Sequence, residues 1–484
     1  MRRARTLGAS LFATTLLFAA CVRNPATGER QFSLISEAQE INMGREYDAQ
    51  IVASLGLYPD TALQRYVQEL GRRLAATSER PHLPWTFRVL DDPVVNAFAL
   101  PGGYIYVTRG ILAYLGSEAE LASVLGHEIG HVTARHSVTR MSTQQLAQLG
   151  LAVGVLLRPE LESVAGLANA GLSVLFLKHS RDDERQSDDL GLRYMRRGGY
   201  DPREMAGVFA MLERVSSAEG GGRVPEWLST HPDPGNRRDR IARQVAALPP
   251  DSVTGRVERE SYVRRLNGIV FGNNPREGFF RGNEFLHPDL AFRFSFPAGW
   301  TTSNQKSAVV GVSPNEDAVI QITLAEESTP DAAARRFFSG QGMTGSPRSD
   351  RINGLDAVTG NFAAATQSGP VRGIAAFIAH GGRVYNVLAY AVESRWSAYD
   401  AAARQAIGSF ARLTDQAVLS VQPQRLEVVT LDRAMTLQEF AQRYPGPATI
   451  DLLARLNQVE PGHRFNAGDV VKRVTGAPLP GASD

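Results

Sequence analysis

Two histidines, with a glutamate directly after the first, stand in the segment His127-Glu128-Ile129-Gly130-His131. On an α-helix, residues four apart differ by about 40° around the axis, so both imidazoles share one face. One zinc ion can then be held between them. Glu128 lies about 100° from His127, where a general base could reach the water molecule that attacks a peptide carbonyl. The segment therefore predicts a helix that carries a hydrolytic metal centre.

The residues around this motif favour such a helix. Ser117 and Glu120 have the spacing of a capping box, which starts a helix. Apolar residues then follow at helical spacing, namely Leu121, Val124, Leu125, Ile129 and Val132. Alternation predicts strands at residues 85–90, 94–100 and 104–108. Further helices are predicted at residues 61–76, 181–197, 202–216 and 235–247.

A catalytic zinc site needs a third protein ligand and one open position. The charged segment from 180 to 188 supplies a candidate, because Glu184 and Asp188 are four residues apart and would share a helix face. Glu184 can bind the ion, while Asp188 accepts a hydrogen bond from the far nitrogen of a ligand histidine. Taken alone, the segment would suit a solvated helix face. The zinc motif upstream favours the ligand interpretation.

Four short segments occur in the order of a known family: GHEIGHV at 126–132, RH at 135–136, SRDDERQSD at 180–188 and HP at 231–232. Together they resemble the zinc peptidase family of HtpX, the CAAX prenyl proteases and BepA, over roughly residues 36–247. The likeness is greatest to the periplasmic BepA-like branch. It implies a gluzincin fold and one zinc ion (Zn2+) per chain, bound by His127, His131 and Glu184, with Glu128 as general base.

The same resemblance implies that His231 contributes to the site. Two roles are open: a donor that stabilises the oxyanion of the tetrahedral intermediate, or a plug that occupies the open zinc position and keeps the enzyme latent. The Pro and Gly residues at 232–235 would also suit a plain turn before a helix. His136 is expected to be structural, because a continuing helix turns it about 140° from the face of His131. His179 is assigned no role.

The segment NAFALPG at 96–102 resembles the family's edge strand beside the zinc. The backbone of such a strand, at Asn96 and Ala97, would bind an extended peptide substrate whatever its side chains. A packed interior strand fits the sequence equally well. Residues 141–177 are apolar, rich in Ala and Gly, and predict a helical hairpin too interrupted to span a membrane. A lid, a membrane-facing element and core packing all remain open for it.

The chain opens with the pattern of an export signal: Arg2, Arg3 and Arg5, an apolar run from 7 to 20, then Cys21. The segment LFAAC at 17–21 resembles a bacterial lipobox, with Phe18 where Leu, Val or Ile is usual. We expect cleavage before Cys21, the only cysteine, and a lipid there that tethers the protein to a membrane surface. A plain secretory signal is the alternative. Val22 after the cysteine favours the outer membrane.

The composition shifts after about residue 266, and strand patterns then dominate. They predict an α+β domain that resembles small PsbP-like sandwich domains. The last segment predicts strand, helix, helix, strand and resembles a LysM module, either a glycan binder or a degenerate packing module. The sequence thus predicts an α+β chain with a signal peptide at 1–20, a mainly helical metallopeptidase domain at 21–270, the α+β domain at 276–415 and a βααβ LysM-like domain at 422–476.

The 52 Lys and Arg residues nearly balance the 50 Asp and Glu residues, so charge gives no case for nucleic-acid binding. The leading hypothesis is a zinc endopeptidase of the bacterial periplasm, lipid-anchored to the outer membrane, whose substrates are unfolded or misassembled envelope proteins. The quality-control part is what the resemblance implies. The alternative is a latent or non-catalytic assembly protein that its C-terminal domains recruit to the cell wall or outer membrane. Amidase chemistry on peptidoglycan is a third hypothesis, which the family resemblance disfavours.

Overall fold

The computed structural model describes residues 21–145, 179–218, 227, 230–231, 234–250, 253–366 and 369–479. The signal segment and all of the 141–177 hairpin except residues 141–145 lie outside the described residues. Contacts divide the chain into two units. The first holds the residues up to Phe271 apart from Ala53–Leu55, together with Arg425–Thr475, and the second holds the rest. No helix in the described ranges has the length and hydropathy needed to cross a membrane.

The first unit packs helices around a three-stranded sheet of order β3-β5-β4. Strand β3 (Thr86–Leu90) runs parallel to β5 (Tyr104–Thr108), and β4 (Ala97–Leu100) runs antiparallel to β5. A separate hairpin pairs β1 (Cys21–Arg23) with β2 (Arg30–Phe32). The helices are α1 (Glu37–Leu55), α2 (Thr61–Ala75), α3 (Arg109–Tyr114), α4 (Glu118–Thr133), α5 (Arg181–Arg197), α6 (Glu204–Ala218), α7 (Pro234–Ala246) and α8 (Arg259–Arg265).

Helix α4, which carries the metal motif, is buried along its whole length. Its N terminus is capped by Ser117, whose Oγ accepts from the backbone N–H of Glu120 at 3.1 Å. The predicted capping box is only half formed, because the Glu120 carboxylate accepts from the N–H of Gly116 instead. The helix ends at Thr133, since Arg135 adopts a left-handed φ of 59°. The chain therefore turns sharply after the metal motif.

Glycines bring α5 unusually close to α4. A Cβ on Gly191 of α5 would lie 2.9 Å from the backbone nitrogen of His127. On the other side of this contact, a Cβ on Gly126 would lie 3.1 Å from the carbonyl oxygen of Gly191. Such distances leave no room for a side chain between the helices. The close approach places the acidic face of α5 against the histidines of α4.

The second unit is built on antiparallel strands. Its large sheet has the order β12-β14-β15-β16-β11-β10-β9, with β13 paired to β14, and a smaller sheet has the order β17-β8-β7-β6. The strands are β6 (Phe279–Arg281), β7 (Glu284–His287), β8 (Phe292–Ser295), β9 (Thr301–Asn304), β10 (Val309–Val312), β11 (Ala318–Leu324), β12 (Met343–Gly345), β13 (Arg348–Ile352), β14 (Leu355–Thr366), β15 (Gly369–His380), β16 (Arg383–Val392) and β17 (Ala411–Arg412). The helices are α9 (Pro330–Phe338), α10 (Trp396–Gly408) and α11 (Gln416–Leu419).

The segment Arg425–Thr475 has the predicted strand, helix, helix, strand order. Strand β18 (Arg425–Thr430) pairs with β21 (Val470–Thr475), and a short pair joins β19 (Met435–Thr436) to β20 (Arg464–Phe465). Helices α12 (Leu437–Arg443) and α13 (Ile450–Asn457) lie between them. The segment has a small core of its own, but Leu426, Leu456 and Val474 belong to the core of the first unit. Contacts therefore group it with that unit.

Candidate metal centre

The three predicted ligands lie together in the first unit, and a fourth side chain joins them. One ligand atom each from His127, His131, Glu184 and His231 lies within 4.8 Å of all the others. His131 Nε2 is 3.0 Å from His127 Nε2 and 3.4 Å from Glu184 Oε1. His231 Nδ1 is 2.9 Å from Glu184 Oε1. All four side chains are buried, so this is a candidate metal centre inside the protein.

Asp188 lies where the sequence predicts it, behind the first ligand histidine. His127 Nδ1 is 3.0 Å from Asp188 Oδ1. A carboxylate can only accept a hydrogen bond, so this shorter contact favours a proton on Nδ1 of His127 and a lone pair on Nε2, against the donor Nη2 of Arg237 at 3.3 Å from the same Nδ1. Arg237 holds Asp188 from the other side, with Nε 2.9 Å from Oδ2. Burial opposes ionisation of Asp188, but Arg237 lowers its pKa below the usual value.

The donor set fits a metal ion. Burial disfavours the charge on Glu184, but His231 and Arg237 outweigh this effect and hold its pKa well below the usual range. Glu184 is therefore ionised, as a carboxylate ligand must be. Burial holds the pKa of His131 well below its usual value, so its imidazole is neutral. An anionic oxygen, the neutral imidazole of His131 and a second imidazole from His127 are a donor set that suits a divalent cation such as zinc.

Glu128 lies beside the cluster, with Oε1 3.7 Å from His231 Nε2. Its side chain is buried, and Oε1 makes no hydrogen bond within the described part of the chain. Burial raises the pKa of Glu128. A buried carboxylate oxygen with no partner is costly unless a ligand or water meets it. This oxygen is therefore available to a molecule in the site.

His136 lies at the site, contrary to the orientation expected from a continuing helix. Its Nδ1 is 3.0 Å from Nδ1 of His131. The sequence argument extended α4 to His136, but the helix ends at Thr133 and the left-handed Arg135 turns the chain back. His179, to which the sequence assigned no role, also lies close, with its ring centroid 4.0 Å from that of His131.

Arg237 and Trp227 are site residues that the sequence did not reveal. Trp227 stacks on the ring of His231 with centroids 4.7 Å apart, and its carbonyl accepts the N–H of His231. Arg237 lies 2.7 Å from Glu184 through Nη1. One signal for Arg237 exists, because it shares the face of α7 on which Ile241 is fully buried. An arginine within an apolar helix face is either paired with a buried acid or a sign that the face was wrongly assigned as buried.

The predicted substrate residues lie beside the metal helix. Strand β4 starts at Ala97 and is the outer strand of its sheet, and its closing residues, with His131, line a cleft. Asn96 precedes the strand, its side chain is buried, and its backbone carbonyl accepts from the N–H of Thr108. The predicted lipidation residue, Cys21, begins β1 and pairs there with Phe32.

Comparisons with known proteins agree with this geometry. The chain is 33% identical over 235 residues to the beta-barrel assembly-enhancing protease of Yersinia pestis. The matched region covers 47% of this chain and 48% of that protein. It is 36% identical over 193 residues to the mitochondrial metalloendopeptidase OMA1 of Arabidopsis thaliana, a match that covers 39% of this chain and 37% of that protein. The chain thus spans about half or less of the length of these relatives.

A solution structure of cyanobacterial PsbP from Synechocystis is similar over 28% of this chain and 94% of that one. The identity is 14% and the TM-score 0.24, values too low to carry an argument about the fold of the second unit. The sequence model of peptidase family M48 matches residues 61–245, and this range contains all four residues of the cluster. Residues 61–245 of this chain are therefore similar to peptidase family M48.

Proposed function

We propose that this protein is a zinc-dependent endopeptidase of the bacterial cell envelope. The observation that carries the proposal is the buried convergence of His127, His131 and Glu184 beside Oε1 of Glu128, which makes no hydrogen bond within the described residues. The names of the relatives, a protease that enhances beta-barrel assembly and a metalloendopeptidase, support the reaction class. Its substrates would be unfolded or misassembled envelope proteins.

His127, His131 and Glu184 would hold one zinc ion per chain, because two imidazoles and a carboxylate are a ligand set of catalytic zinc sites. The ion would supply Lewis-acid chemistry, polarising the peptide carbonyl and acidifying water. Asp188 keeps the proton of His127 on Nδ1, so Nε2 is the ligand atom. Arg237 keeps both acidic residues ionised in a buried site.

Glu128 is the general base in this proposal. Its Oε1 makes no hydrogen bond to any residue that the structure describes, so this oxygen can take a proton from the attacking water. The same carboxyl then delivers the proton to the leaving amine. The edge strand β4 would hold the peptide through its backbone at Ala97, because the backbone N–H and carbonyl of Asn96 already bond Thr108.

His231 has two possible roles in the proposed enzyme, oxyanion donor or plug of the fourth ligand position. The position of its Nδ1 among the ligand atoms supports the plug, provided that the proton this nitrogen donates to Glu184 leaves when the metal binds. A plugged site would be latent, which is the alternative function: an assembly or binding protein recruited to the cell wall or outer membrane by the C-terminal segments. The same proposal includes export, cleavage before Cys21 and lipidation of that residue, and attachment to the outer membrane. It also includes glycan binding by residues 422–476 and the division into three domains.

The test compares proteolysis of an unfolded protein by the chain starting at Cys21 with that by Glu128→Gln, after measuring bound zinc in both. Cleavage by the first protein and loss of about 100-fold or more in the variant is expected, because general-base catalysis contributes on that order. Equal cleavage by both proteins would remove Glu128 from the reaction. If zinc is bound and neither cleaves, His231→Ala decides, since released activity identifies the plug and continued inactivity favours the assembly protein.

A further inference from the structure

Asn24, three residues after Cys21, contacts the end of the metal helix through a buried side chain. Its Oδ1 accepts from the backbone N–H of Ala26 at 2.9 Å, and its Nδ2 donates to the carbonyl of Ala134 at 3.2 Å. A backbone N–H only donates and a carbonyl only accepts. The orientation of the Asn24 amide is therefore determined, with its nitrogen toward α5.

The same nitrogen of Asn24 lies 3.4 Å from Oε1 of Gln186. Because the nitrogen can only donate, the atom that Gln186 presents is its oxygen. Nε2 of His136 is 2.9 Å from this oxygen, so Nε2 must carry the proton of that imidazole. A neutral imidazole has one N–H, which leaves Nδ1 of His136 as an acceptor. The hydroxyl of Ser187, 3.3 Å from this Nδ1, is compatible with that assignment.

Nδ1 of His131 lies 3.0 Å from the acceptor nitrogen of His136. The contact is a hydrogen bond only if Nδ1 of His131 carries its proton. Nε2 of His131, the atom that faces His127 and Glu184, is then left with its lone pair. We propose that Asn24, Gln186 and His136 form a hydrogen-bond relay that sets the tautomer of His131 for metal binding. This inference rests on the proposed function, because it deepens the role of one proposed zinc ligand.

The relay complements the contact between Asp188 and His127. One ligand histidine is oriented by a carboxylate from α5, and the other by a chain of neutral groups that begins in the N-terminal hairpin. Gln186 and Asn24 are therefore positioning residues, which act on the metal through His136 and His131. The hairpin that follows Cys21 would thus contribute directly to zinc affinity.

The test measures zinc affinity by competition with a chromophoric chelator in the full chain, its Gln186→Leu variant and its Gln186→Glu variant. Leucine removes the acceptor for His136, and we expect affinity to fall about 10-fold or more, as loss of such an outer partner usually causes. Glutamate keeps an acceptor and should retain affinity within about threefold of the unchanged chain. Gln68→Leu is the matched control, since Gln68 is also half-buried and bonds the backbone at Trp85 and Phe87, away from the cluster.

A tautomer readout separates positioning from general structural damage. In the zinc-free protein with ¹⁵N-labelled histidine, His131 should have its proton on Nδ1, and Gln186→Leu should give a mixture. Unchanged zinc affinity and unchanged tautomer in Gln186→Leu would overturn the relay. If that variant does not fold, Asn24→Leu takes its place, with a smaller loss of affinity expected and full affinity overturning the proposal. The affinities judge the relay without cleavage, so a chain that binds zinc but cleaves nothing contradicts only the proposed function.

Discussion

Arg237 carries the positive charge that two buried carboxylates require. Its guanidinium contacts Glu184 through Nη1 and Asp188 through Nη2 and Nε, and its side chain is 5% exposed. We expect Arg237→Met to lower the free energy of unfolding by about 3–5 kcal/mol, because both acids lose their buried partner. Arg238→Met is the control: this neighbour is 41% exposed and pairs with Glu213, so about 0–1 kcal/mol is expected. Urea unfolding of the two variants measures both free energies of unfolding. Equal losses of stability would contradict the role of Arg237 as the buried partner of the two acids.

The residues that could be predicted from the sequence are those whose chemistry requires a fixed spacing. His127 and His131 must share a helix face, and Glu184 and Asp188 follow the same rule on α5. His136 was misplaced because a single left-handed residue, Arg135, redirects the chain. Trp227 lies four residues before His231 and is joined to it by a backbone hydrogen bond, so helical spacing from His231 was a signal that the sequence analysis did not use.

At the scale of elements, the site depends on the distance between α4 and α5. We expect Gly191→Ala to push the helices apart, since the added Cβ would lie 2.9 Å from the backbone nitrogen of His127. Overpacking of this kind costs about 1–3 kcal/mol, and the zinc affinity should fall with it. Gly408→Ala is the control, because open space surrounds a Cβ at this position in α10, and it should lower stability and zinc affinity less than Gly191→Ala does. Thermal unfolding and chelator competition measure both effects, and an unchanged zinc affinity in Gly191→Ala would argue against the helix spacing as its determinant.

Element positions follow from the sequence where the hydrophobic period is long and the ends are capped. The helix predicted at 181–197 is found as Arg181–Arg197, with a full capping box from Ser180. The strand predicted at 94–100 begins only at Ala97, because the backbone N–H of Val94 bonds the side chain of Asp92 in a turn. Strand β14, which pairs with β13 and β15, was not anticipated, because Gly, Asn and a run of Ala interrupt the alternation of its sequence.

At the scale of the whole molecule, distant parts of the sequence meet at the start of the metal helix. Lys472 of β21 is buried and donates to the carbonyls of Ala113 and Leu115. Gln458 donates to the Glu120 carboxylate in the first turn of α4. The hydrophobic pattern of residues 425–475 predicts their own fold but not this attachment, because its polar contacts pair residues more than three hundred positions apart.

This attachment should make stability depend on pH. Burial raises the pKa of Glu120 to about 7, an effect to which Glu204 adds and which Gln458 and Lys472 oppose. Burial lowers the pKa of Lys472 to about 7, with Glu120 opposing and Arg259 adding to the shift. The folded state holds more protons on Glu120 below pH 7, so that contribution is lost as pH rises from 4.5 toward 7. The unfolded state holds more protons on Lys472 above pH 7, so that contribution grows as pH rises from 7 toward 10.5.

The pair should therefore give a minimum of stability near pH 7, and Lys472→Met should remove its alkaline side. We expect the free energy of unfolding of the unchanged chain to rise relative to this variant by about 2 kcal/mol between pH 7 and 9. Urea unfolding at both values gives the difference, in which groups that do not interact with Lys472 cancel; Glu120, whose pKa rises further without Lys472, adds to the difference in the same direction. Lys306→Met, where the lysine is 26% exposed and paired with Glu277, should keep the pH profile of the unchanged chain. Parallel profiles for Lys472→Met and the unchanged chain would mean that Lys472 is charged or neutral in both states alike, and that its attachment to α4 does not couple to pH.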